Sequence, residues 1–122
     1  MGRKGKMARK KKTPFAPWET TASDGIEKRY TRLGSTLLYS PAFLRLSANA
    51  KQVYLYMKIE SAGKREFIMP RQKQLRFTNK NSFIRAKDEL EQAGFIETVQ
   101  NNANLRKPNV YWFSERWKEQ NE

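Results

Sequence analysis

A chain of 122 residues has room for one domain with a modest core. It contains no cysteine and no histidine, which excludes disulfides, thiol nucleophiles, Cys/His zinc sites and imidazole base catalysis by counting alone. Its 25 Lys and Arg against 12 Asp and Glu give a formal charge of +13, which raises affinity for polyanions and puts nucleic acid first among the expected partners.

Residues 1–18, MGRKGKMARKKKTPFAPW, hold seven basic side chains and no acid: Arg3, Lys4, Lys6, Arg9, Lys10, Lys11 and Lys12. With little to bury before Phe15 and Trp18, the segment reads as a disordered basic arm that attracts polyanions nonspecifically. Met7 is a second candidate start, one that drops Arg3, Lys4 and Lys6. The basic arm is not followed by an apolar signal core, and no apolar run approaches the roughly 18 residues of a membrane span. A cytoplasmic protein without cofactor or membrane partner is therefore expected. Residues 19–35 are polar and turn-rich and read as a linker into a short strand over Ser35–Tyr39. The folded domain is expected over 36–118, with 119–122 as a tail.

Ser40 is placed as an N-cap with Pro41 in the first helical position, which gives a short helical turn. Ser47 caps the next helix, ANAKQVYLYMKIESA, which stops at Gly63. Leu46, Ala50, Val53, Tyr54 and Met57 recur at helical spacing and form its core face. Leu55, Ile59 and Ala62 form a narrower stripe on roughly the opposite side. It is expected to pack on Leu33, Leu37 and Leu38, with a homodimer interface through Leu55 and Ile59 as the alternative. A basic turn then leads to EFIMP, a short strand. Pro70 opens a brief helix, RQKQLRF, with Leu75 and Phe77 facing inward.

Asn79 or Thr78 can cap the helix that follows, and Gly94 stands where a helix ends in the left-handed conformation, so this helix spans about Lys80 to Ala93. Phe83, Ala86, Leu90 and Ala93 form its buried stripe; Asn81, Arg85, Asp88 and Gln92 lie opposite. Its bases come early and its acids late, the reverse of what the helix dipole favours. The inversion suits a helix that enters a DNA major groove end-on. Lys80, Asn81, Ser82 and Arg85 then supply donors at the duplex, while Asp88, Glu89 and Glu91 stay away from phosphate. FIETVQ and VYWFSERW read as a hairpin joined by NNANLRKPN, with Arg106 and Lys107 near the tip. Trp112 and Trp117 read as packing residues.

The stretch NKNSFIRAKDELEQAGFIE resembles the recognition helix of the winged helix-turn-helix superfamily. It has the polar turn, inward Phe83, Arg85 two positions on, core Leu90, and Gly94, Phe95 and Ile96 leading into a first wing strand. LSANAKQVYLYMKIES resembles the first helix of winged-helix proteins of bacterial mobile elements, among them plasmid replication initiators and accessory proteins that act with a relaxase at a transfer origin. The resemblance covers about residues 40–115. It implies an α+β fold, a three-helix core with a C-terminal β-hairpin wing. Carried over by position, it implies Asn81, Ser82 and Arg85 as base or phosphate readers, Lys80 and Lys87 as phosphate contacts, and Arg106 and Lys107 as wing contacts. Arg76 stands near where the superfamily commonly has glycine or another small residue, a departure that offers a further phosphate contact. Asn79 at the helix start and Arg71 and Lys73 in the preceding helix complete the expected surface.

The function so implied is sequence-specific binding of double-stranded DNA, without a reaction, cofactor or metal of its own. The setting is a nucleoid- or plasmid-associated element, at an origin of transfer or replication or in transcription control, with a relaxase or replication protein as partner. No Walker-type loop is present, and a relaxase built on a histidine cluster is impossible without histidine. The alternatives from other classes are an RNA-binding or ribosome-associated basic protein, and an adaptor that docks a partner through the Leu55 and Ile59 stripe.

Overall fold

The computed structural model describes residues 29–120. The expected basic arm, residues 19–28 of the linker and the last two residues lie outside the described residues.

The segment expected as a strand at Ser35–Tyr39 is a helical turn, α1 (Ser35–Leu38). A strand has to find a ladder partner, whereas a helical turn closes its own hydrogen bonds. Here the Ser40 amide and hydroxyl both donate to the Leu37 carbonyl and finish the turn. Leu33, Leu37 and Leu38 pack half-buried against the core as a result.

Short side chains set the next two helix starts. In α2 (Pro41–Leu44) the Ser40 hydroxyl accepts from the Phe43 amide at 3.1 Å. In α3 (Ala48–Glu60) the Ser47 hydroxyl accepts from the Ala50 amide at 3.1 Å. The core face of α3 is the expected one: Ala50, Val53, Tyr54 and Met57 are buried, and burial pushes the Tyr54 hydroxyl up to about 12. Ala62 and Gly63, at φ 55° and 82°, turn the chain out of the helix.

There follow β1 (Glu66–Ile68), α4 (Arg71–Gln74), α5 (Lys80–Ala93), β2 (Ile96–Gln100) and β3 (Val110–Phe113), with 3-10 turns at Ala103–Leu105 and Arg116–Gln120. The strands form one antiparallel sheet in the order β1-β3-β2, with Phe67 and Thr98 both opposite Tyr111. The fold is therefore α+β, a helical core with a small three-stranded sheet. Phe95 is fully buried where helices and sheet meet. It lies edge-on to Phe43 and Tyr54, at 5.7 and 5.6 Å, and stacks on Trp117 at 5.7 Å.

Two packing expectations fail. Leu33, Leu37 and Leu38 do not cover the outer stripe of α3: they join the core cluster, Leu37 shares a surface cleft with Tyr54 and Lys58, and Leu55 stays 42% exposed. Folding of the segment as α1 packs those leucines on the core cluster instead. Leu75 does not face inward either; α4 is only one turn long, and Leu75 closes it with 57% exposure. Phe77 takes the inward place and stacks on Tyr56 at 4.0 Å.

Gly94 ends α5 at φ 89°, and a Cβ there would stand 2.7 Å from the Trp117 nitrogen and 2.9 Å from the Arg116 carbonyl carbon. Gly94→Ala therefore combines left-handed strain with a clash against backbone, and is expected to cost roughly 2–4 kcal/mol in urea unfolding. An unchanged midpoint would mean that the Arg116–Trp117 turn gives way freely.

Candidate functional site

Helix α5 and the loop of the β2–β3 hairpin define the site. Asn79 caps α5, its side-chain oxygen accepting from the Ser82 amide at 2.8 Å. No acid occupies the first turn, so the positive end of the dipole faces outward together with Lys80. Around the helix, Phe83, Ala86 and Leu90 are buried and Ala93 is half-buried, while Asn81, Arg85, Asp88 and Gln92 are exposed. On the flank toward α3, the Ser82 carbonyl accepts from Asn49 Nδ2 at 2.9 Å.

The opposite flank opens into a cleft of about 810 Å³ between α4, α5 and the hairpin loop. Arg71 from the start of α4, Lys80 and Lys87 from α5, and Arg106 and Lys107 from the loop all line it, and no acidic residue does. Its floor is Met69, Phe83 and Tyr111, all buried, and burial pushes the Tyr111 hydroxyl above the ordinary tyrosine value. The amides of NNANLRKPN build the loop in place of strand pairing. Asn109 Oδ1 accepts from the Asn102 amide at 2.7 Å, and Asn102 Nδ2 donates to the Pro108 carbonyl at 2.9 Å. Arg106 holds φ 57°, a left-handed position that costs an L-residue roughly 1–2 kcal/mol.

The sequence-expected residues divide accordingly. Arg71, Lys80, Lys87, Arg106 and Lys107 share the cleft, and Asn81 and Arg85 stand on the adjoining exposed face. The Asn79 side chain is engaged as the helix cap, whereas Ser82 takes part through its backbone amide and carbonyl. Lys73 pairs with Glu60 at 2.8 Å, and Arg76 is exposed in the turn that follows α4. Lys87 lies 2.8 Å from Asp88 and 3.6 Å from Glu91. Burial lowers its pKa, but the Asp88 hydrogen bond and the two carboxylates outweigh burial and hold it above the ordinary lysine value.

The late acids of α5 have structural partners. Glu89 accepts from both the amide and the hydroxyl of Ser47, each at 2.7 Å, placing a carboxylate on the N-terminus of α3. Glu91 accepts from Thr98 on β2 and pairs with Lys87. Glu89 and Glu91 thus fasten α5 to α3 and the sheet, while Lys80 and Arg85 stand exposed in its first half.

Sequence reasoning missed Ile84. It is 41% exposed and lines the cleft one turn beyond Lys80, whereas Phe83 beside it is buried. The signal was its position: four residues after Lys80 and three before Lys87, it belongs to their stripe and not to that of Phe83.

Among the described residues, no group of three or more His, Cys, Asp or Glu side chains is placed to hold a metal ion, and no helix is long and apolar enough to cross a membrane. No family model, curated protein or solved structure matches the chain.

Proposed function

We propose that the protein is a winged-helix, sequence-specific binder of double-stranded DNA with no reaction of its own. In this reading α5 enters the major groove by its N-terminal half, and the hairpin is a wing whose Arg106 and Lys107 lie on the backbone. The observation that carries it is the cleft where α4, α5 and the hairpin loop bring together Arg71, Lys80, Arg106 and Lys107, with Lys87 held by Asp88 and Glu91 at its edge and no acid in the lining, beside the positive end of α5. Phosphate is the ligand for such a surface, and the adjoining Asn81 and Arg85 are the donors that can read base edges. The internal partners of Glu89 and Glu91 support the same orientation, because they anchor the far end of α5 in the domain.

Selection from a random duplex pool with the full chain, at about 150 mM salt to suppress nonspecific attraction, tests the reading. An enriched motif is expected. Absence of enrichment, or tighter binding to structured RNA at matched salt, overturns it. Within the selected site, Arg85→Ala is expected to cost on the order of 1–3 kcal/mol and to relax preference at one base pair, if the guanidinium reads guanine bidentately. Equal weakening on every sequence would reassign Arg85 to phosphate.

A role in a mobile element, at an origin of transfer or replication or at a promoter, rests on the sequence resemblance alone, and the genomic position of the motif tests it. One observation favours an adaptor as second reading: Leu55 and Tyr56 on α3 are 42% and 38% exposed. Leu55→Asp then abolishes self-association or recruitment of a replication protein or relaxase while DNA binding persists.

A further inference from the structure

Most apolar side chains of α5 are buried; Ile84 is 41% exposed, one helical turn from Lys80 and directly beside Arg85. A β-branched residue in an exposed helical position gains nothing from propensity, since alanine, lysine or glutamate favours the helix more. Scattered exposed apolar residues need no explanation in themselves. This one, however, lies on the rim of a cleft whose lining charges are all cationic, on the helix proposed to enter the major groove.

We infer that Ile84 is a specificity-determining residue that reads the 5-methyl group of thymine. The inference rests on the duplex-binding reading above. In the major groove thymine presents an apolar group, its C5-methyl, beside the O4 acceptor, and an aliphatic side chain is its natural complement. Lys80, four residues earlier, and Arg85 place donors on either side of Ile84 for phosphate or a neighbouring base. The contact selects thymine over cytosine by burying a methyl against an isoleucine, and needs no hydrogen bond from Ile84.

Replacing thymine by deoxyuridine removes that methyl and nothing else, so the test is to substitute each thymine of the selected site in turn and measure affinity for the full chain and its Ile84→Ala variant. The full chain is expected to lose about fourfold at one position or at symmetry-related positions, the contribution of one buried methyl-sized group. Ile84→Ala is expected to bind the thymine and deoxyuridine sites equally. Alanine at an exposed helical position leaves the fold intact, which thermal unfolding checks. An enriched site at which no thymine methyl matters, or at which Ile84→Ala keeps the full methyl preference, overturns the inference and leaves duplex binding standing. Absence of any enriched site overturns both.

Discussion

Truncation of Phe95 to alanine is expected to remove roughly 3–5 kcal/mol of folding stability, a large share of the roughly 5–15 kcal/mol that holds a typical domain together. Phe95 is fully buried, and the rings of Phe43, Tyr54 and Trp117 all lie within 5.7 Å of its own, centroid to centroid. Each comes from a different part of the chain: α2, α3 and the closing 3-10 turn. An alanine leaves a cavity that none of them can fill without abandoning its other contacts. Phe43 and Tyr54 also pack on each other at 5.9 Å, and the Trp117 backbone is tied to the Gly94 carbonyl at 3.1 Å. Denaturant unfolding measures the loss, and a cost below about 1 kcal/mol would mean that Trp117 closes over the gap.

Neutralising the cleft is expected to have the largest effect on binding. On the proposed duplex-binding reading, the variant carrying Arg71→Ala, Lys80→Ala and Arg106→Ala loses three phosphate contacts, at about 0.9 each in the slope of log K against log salt. Affinity for duplex DNA at about 150 mM salt then falls roughly 10²-fold, and the salt dependence flattens by nearly three. The three side chains are exposed, so unfolding should change little. A control that removes Arg45, Lys64 and Lys118 lowers the net charge equally, but those residues do not line the cleft. An equal loss from the control would show that net charge and not the cleft carries the affinity.

Features set within four or five residues were legible in the sequence. Ser40, Ser47 and Asn79 cap as expected because a cap is a hydrogen bond to an amide three positions on. Gly94 ends α5 because a left-handed residue without Cβ suits that place. The buried stripes of α3 and α5 follow from helical periodicity. The charge inversion along α5 was legible too, though its structural reason, carboxylates fastened to Ser47 and Thr98, was not.

Long-range partners decided the rest. Whether Ser35–Leu38 is strand or helix depends on where a ladder partner stands, and local pattern does not encode that. Leu75 and Phe77 both looked inward, and only the reach of Tyr56 from α3 selects Phe77. Composition and spacing determined a basic α+β domain, its caps and its core helices. The tertiary structure alone brought Arg71, Lys80, Arg106 and Lys107 from three elements into one cleft, and left Ile84 exposed beside them. The division has a physical cause: caps and periodicity act over a single helical turn, whereas a cleft is made by the packing of segments far apart in the chain.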